Sequence, residues 1–146
     1  MIILDTNVVS EPMKPHGHHE VQSWLDEQVA ETLYITTVSL AELLLGVELL
    51  PEGKRKEGLA AALRDLVMTL FGARVLPFDL PAATMYASRI SRARAAGRPI
   101  SMGDGQIAAI AAVHGFAVAT RDTAPFIAAG VPVVNPWEIG SGSVKS

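Results

Sequence analysis

The chain has 146 residues, 18% of them charged, with a net charge of −3, a pI near 5.8 and a mean hydropathy of +0.30. That length accommodates one compact domain with a real core and is short for two, and the mild acidity leaves any polyanion contact to a few local side chains. The absence of cysteine excludes disulfides, thiolate metal sites and cysteine nucleophiles; with no long apolar span and no basic leader, neither membrane insertion nor secretion is predicted, and a cytoplasmic setting is expected.

In chain order, short apolar runs alternate with longer helical patterns. Strands are predicted at Ile2 to Leu4, Leu33 to Thr36, Arg74 to Pro77, Ala117 to Ala119 and Val131 to Val134. Helices are predicted at His19 to Glu31, Ser39 to Leu50, Lys54 to Phe71, Pro81 to Ala96 and Met102 to His114. Pro51 and Gly53 separate the second helix from the third, Gly97 to Pro99 close the fourth, and Gly115 is placed to cap the fifth. The alternation predicts an α/β fold, a central mostly parallel sheet of about five strands with helices on its faces. Residues 1–139 form the expected single domain, and 140–146, with two glycines and three serines, the expected disordered tail. A charged fraction below the roughly 25% of typical domains suggests apolar surface buried in a homodimer.

Four acids stand beside apolar residues at element ends. Asp5 closes the first strand, and Asp122 follows the fourth strand just past Thr120; both fall at carboxyl ends, where parallel sheets place their sites. Glu42 lies in a helix that is apolar nearly all round and is therefore expected to be buried. Asp104 shares a helical face with Ile107, Ala108 and Ala111. Each also has a local structural role open to it: Asp5 as a first-turn cap, Glu42 in a capping box with Ser39, Asp104 at the positive end of a helix dipole, Asp122 in a turn. Buried carboxylates are costly unless something positive holds them, and a divalent cation accounts for all four together.

The same residues carry a family resemblance. Ile3 to Glu11, Thr37 to Leu43 with Gly46, Leu76 to Asp79, Gly97 to Ile100, Asp104 to Ala109, His114, Gly115, Thr120 to Asp122 and Val134 to Trp137 occur in family order along nearly the whole chain. The chain resembles the PIN-domain ribonucleases, specifically the VapC-type toxins of bacterial toxin–antitoxin pairs, in their FitB-like branch. The resemblance implies a PIN fold, a three-layer sandwich around a mostly parallel sheet, and a metal-dependent endoribonuclease. It implies that Asp5, Glu42, Asp104 and Asp122 are the catalytic and metal-binding quartet, with Thr6, Ser39 and Thr120 in support. Two departures stand out: Pro125 occupies a position where many relatives carry a further Asp, and His16, His18 and His19 form a tract unusual for the family. The tract could bind a transition metal, but a solvated loop is the expected state.

Oxygen-only ligands favour Mg²⁺, with Mn²⁺ as substitute, over zinc. Two carboxylates ~4 Å apart repel by roughly 1 to 4 kcal/mol, which a bound cation relieves while it acidifies a coordinated water and polarises a phosphoryl oxygen. One ion held mainly by Asp5 and Asp104 is expected, with Glu42 and Asp122 placing water or a second ion. Arg121, Arg98 and Arg94 are the candidate RNA contacts, ahead of a solvated cluster at Lys54 to Lys56. Single-stranded or looped RNA is the expected substrate. Aromatic stacking has little support, since Trp24 and Trp137 are the only indoles and both could be core residues. Relatives bind a cognate antitoxin, and the apolar helices at Leu43 to Leu50 and Leu59 to Phe71 are the expected groove, in a homodimer or larger assembly.

Rival readings meet specific obstacles. A haloacid-dehalogenase-type phosphatase needs a second Asp where Asn7 stands, and a receiver domain needs a mid-chain strand-ending Asp and a late lysine that are missing. A catalytically silent PIN module acting only by binding would be expected to have lost one of the four acids.

Overall fold

The computed structural model describes residues 1–139, so the expected tail at 140–146 lies outside the described residues. Five strands form one all-parallel sheet: β1 (Ile2–Leu4), β2 (Leu33–Thr36), β3 (Val75–Leu76), β4 (Ala117–Ala119) and β5 (Val133–Val134), in the order β3-β2-β1-β4-β5. Helices α1 (Thr6–Ser10), α2 (His19–Glu27), α3 (Thr37–Glu48), α4 (Lys54–Asp65), α5 (Leu80–Ala95), α6 (Met102–His114) and α7 (Ala124–Ala128) cover it.

Strand alternation sorts the core into two layers. Ile3 and Val118 face Ile90, Ile107, Ile110 and Phe126 from α5, α6 and α7. Leu4, Leu33, Ile35 and Ala119 point the other way, onto Val8, Val21, Trp24, Leu43, Leu63 and Phe71. Short parallel strands buried on both faces read as uninterrupted apolar runs, which made β1 and β2 legible to the residue. The three-layer α/β expectation holds.

Several boundaries differ from the sequence reading. Helix α2 ends at Glu27 because Gln28 turns extended and its Nε2 donates to the Trp24 carbonyl at 3.0 Å; Ala30–Thr32 form a separate 3₁₀ turn. Helix α3 starts two residues before Ser39, because Thr36 is the N-cap, its Oγ1 accepting from Ser39 N–H at 3.1 Å. Ser39 therefore does not open a capping box with Glu42. The stretch from Lys54 to Phe71 divides at Asp65, with Leu66–Phe71 wound as a π-helix. Helices α1 and α7 were not anticipated: five residues are too few to show a 3.6-residue period.

Exposure along α3 reverses another expectation. Glu42 is exposed, and so are Leu44, Leu45 (58%) and Leu49 (75%); Leu43 and Ser39 carry the buried face. The all-round apolarity of α3 thus reflects a second, outward apolar surface rather than deep burial.

Helices α5 and α6 pack closely at Gly105, where a Cβ would stand 2.8 Å from Tyr86 Cε2 and 2.9 Å from Ile90 Cδ1. Gly105→Val adds volume where there is none, and a loss of about 1–3 kcal/mol is expected. The measurement is a urea midpoint at unchanged slope; an unmoved midpoint would contradict this packing.

Candidate functional site

The sheet order reverses between β1 and β4, and the crevice at their carboxyl ends is where an open parallel sheet offers a site. Asp5 leaves β1 there, its N–H donating to the Ala119 carbonyl at 2.9 Å, and Thr120 leaves β4 beside it. Asp5 is also the N-cap of α1, its Oδ1 accepting from Thr6 N–H at 2.8 Å. The capping role and the site role therefore coexist in one side chain.

Thr120 fixes the other oxygen. Its buried Oγ1 accepts from Asp122 N–H at 3.0 Å and from Asn7 Nδ2 at 3.4 Å, so its one proton turns to Asp5 Oδ2 at 2.8 Å. Both oxygens of Asp5 are thus held as acceptors. Glu42 reaches the same crevice from α3, with Thr6 Oγ1 donating to its Oε2 at 3.0 Å. Its other oxygen lies against Gly103, next to Asp104, at 3.2 Å from where a Cβ would sit. Asp104 stands half-buried in the first turn of α6, capped through Ser101 Oγ. Asp122 is exposed on the loop after β4.

Electrostatics links the four. Burial, with Asp5 only 5% exposed, pushes its carboxyl up from 3.8 to about 6; the Thr120 and Thr6 hydrogen bonds oppose this, and the charges of Asp104 and Glu42 add to it. Asp104 is raised by burial first, then by Asp122 and Glu42, against the lowering effect of Ser101. Neither of the two ion pairs among the described residues, Lys14–Glu11 and Lys56–Glu52, supplies a counter-charge to the quartet.

Among the described residues no three His, Asp or Glu side chains stand close enough to enclose an ion by themselves. The donor set nonetheless fits a hard divalent cation. It is all oxygen, and Mg²⁺ characteristically takes only one or two carboxylates and keeps several waters. Ser39, on the same face of α3 one turn before Glu42, has a fully buried hydroxyl with no partner among the described residues, a group that such hydration would complete.

The other anticipated residues are placed less centrally. Arg94 ends α5 and Arg98 follows it, both exposed, while Arg121 is exposed beside Asp122 with its N–H donating to Asn7 Oδ1 at 3.3 Å. His16, His18 and His19 are exposed, with His19 Nε2 within 3.4 Å of Ser23 Oγ, and they form no ligand cluster among the described residues. Pro125 sits in the first turn of α7. Trp24 is buried, as expected; Trp137 is only partly so and carries the Arg121 guanidinium over its ring. The sequence reading missed two contributors. Asn7 bridges α1 to the β4 loop, its Nδ2 donating to Thr120 Oγ1 and its Oδ1 accepting from the Arg121 backbone N–H. Glu11 is buried and holds the following loop through Lys14 Nζ at 2.9 Å and His18 N–H at 3.0 Å; its spacing to Lys14 was the available signal.

A five-stranded parallel sheet with linked acids at its switch point defines an α/β protein with an acidic site between β1 and β4. The sequence pattern of the PIN domain matches residues 2–131, and the chain belongs to that family. It is 48% identical to the Toxin FitB of Neisseria gonorrhoeae over 137 residues, covering 94% of this chain and 99% of that protein. It is 47% identical to the VapC ribonuclease Y4jK of Sinorhizobium fredii over 138 residues, with the same coverage. The crystal structure of FitAcB from Neisseria gonorrhoeae superposes with a TM-score of 0.92 at 47% identity, covering 95% of this chain and all of that one.

The raised Asp5 sets a pH dependence. The folded state binds the Asp5 proton more tightly than the unfolded state, so the stability from the protonated form is complete below about 4 and is lost as pH rises through about 6. The difference is worth about 3 kcal/mol at most. Asp5→Asn is therefore expected to raise the melting temperature of the metal-free protein at pH 7.5 and to flatten its fall between pH 4 and 6. Equal pH profiles for the two proteins would refute the assignment.

Proposed function

We propose that the chain is a metal-dependent endoribonuclease that hydrolyses phosphodiester bonds in RNA, and the toxin of a toxin–antitoxin pair. The observation that carries the activity is the set of acids at the switch point, where burial and the neighbouring carboxylates raise the proton affinity of Asp5 and Asp104 and no ion pair among the described residues offsets them. Close relatives named as a VapC ribonuclease and a toxin support the same reading.

In this proposal Asp5 and Asp104 hold Mg²⁺, or Mn²⁺ in its place, while Glu42 and Asp122 orient water and Thr6, Ser39 and Thr120 support the acids. The cation, when bound, supplies charge stabilisation at the scissile phosphate. Thr120 and the Thr6 amide keep Asp5 in its anionic form and fixed rotamer, so little reorganisation accompanies loading. Glu42, exposed and held at one oxygen by Thr6, keeps its other oxygen available to accept a proton from water. Substrate comes as single-stranded RNA, with Arg94, Arg98 and Arg121 offsetting the local acidity.

The partner reading rests on α3. A groove of about 330 Å³ lies between α3 and α4, lined by Leu40, Leu44, Val47, Leu63, Val67 and Met68. It accepts an apolar segment of a cognate antitoxin, and the exposed Leu45 and Leu49 supply surface for a homodimer or larger assembly. No described helix is long and apolar enough to cross a membrane, and a cytoplasmic location belongs to the same proposal.

The test is cleavage of end-labelled RNA by the purified chain with Mg²⁺ or Mn²⁺. EDTA, Asp5→Asn and Asp104→Asn are each expected to reduce cutting by about 10² or more. In parallel, Mg²⁺ should raise the melting temperature of the wild type and leave that of Asp5→Asn unmoved. Cutting that persists equally in both variants would show that another protein is responsible.

A further inference from the structure

Arg121 is preorganised in a way that capping and packing do not require. Its N–H is bound to Asn7 Oδ1, and its guanidinium carbon lies 5.3 Å from the centroid of the Trp137 ring. Trp137 is a fixed floor: partly buried against the β1–β2 side of the core, with its own N–H donating to Asn135 Oδ1 at 3.0 Å. Stacking occupies the flat face of a guanidinium and leaves its N–H edge, a fork matched to phosphate oxygens, available. That edge is not consumed by a carboxylate. Arg121 is in neither ion pair among the described residues, and Glu11, the acid that senses its charge, is already bonded by Lys14 and His18. In sequence it directly precedes Asp122 on the loop after β4, and the acid whose proton affinity its charge lowers is Glu11.

We infer that Arg121, held over Trp137, is a phosphate-binding subsite for single-stranded RNA on the loop that carries Asp122. The inference rests on the proposed nuclease reading and adds to it a rigid two-residue platform. An arginine ordered before the ligand arrives loses little side-chain freedom on binding, so its contribution falls on affinity and register. The indole sets the direction of the fork; without it the charge remains but its aim is lost.

The experiment compares the full-length wild type with Arg121→Ala, Arg121→Lys, Trp137→Phe and Trp137→Leu. Each is assayed for Mg²⁺-dependent cleavage and, in EDTA, for binding of a fluorescein-labelled single-stranded RNA by anisotropy, from about 50 to 300 mM KCl. Arg121→Ala is expected to raise KM and the dissociation constant roughly tenfold and to make the log–log salt slope shallower by about 0.7. Arg121→Lys should restore the slope but not the affinity, and Trp137→Leu should raise KM while keeping the slope. Trp137→Phe, which keeps a smaller ring, should raise KM less than Trp137→Leu with the slope kept, and it carries the test if the leucine variant fails to fold. An unchanged salt slope in Arg121→Ala, or a fall in its melting temperature with KM unmoved, overturns the inference and leaves the pair a structural clamp. Should the wild type bind RNA with an Arg121-dependent slope yet cut nothing, the nuclease reading fails and the subsite stands.

Discussion

One buried anion, Asp5, organises the carboxyl edge of the sheet. Its backbone is tied to β4, its first oxygen caps α1, and its second receives the only proton Thr120 has to give. A carboxylate in such a place needs hydrogen bonds on both oxygens, because a desolvated charge left bare costs more than the fold can absorb. Those bonds come from two segments far apart in sequence. The need to satisfy Asp5 therefore determines where α1 starts and how the loop after β4 runs.

The neighbouring acids make the arrangement worse for stability and better for chemistry. Asp104 and Glu42 raise the proton affinity of Asp5, and Asp122 and Glu42 that of Asp104, with no lysine or arginine among the described residues paired to any of them. Repulsion of this kind is what a divalent cation, as proposed for this site, would relieve. Family membership places this chain among proteins whose similarity runs over almost its whole length.

Much of this was legible before any coordinates. Strands β1, β2 and β4 and helix α6 fell where apolar runs and capping residues put them, because a strand buried on both faces leaves an unbroken apolar signature and Gly115 marks a helix end. Asp5 and Asp104 were visible as charges out of place on buried faces. What failed to show was set by tertiary contact. Glu42 was expected to be buried because α3 is apolar on every side, whereas α3 presents leucines outward as well as inward. Thr36 displaced Ser39 as the cap, a choice that depends on where β2 stops. The Arg121–Trp137 stack joins the loop after β4 to the segment after β5, and no periodicity links those two places.

The parallel topology also decides when a working site can exist during synthesis. Asp5 is synthesised 115 positions before the hydroxyl that completes it, and β1 has no hairpin partner nearby to pair with in the meantime. Nascent chains that stop short of β4 therefore carry the acids without the crevice that aligns them. On the proposed function, the ribosome meets the assembled RNA-directed site only after β4 and the loop beyond it have been made.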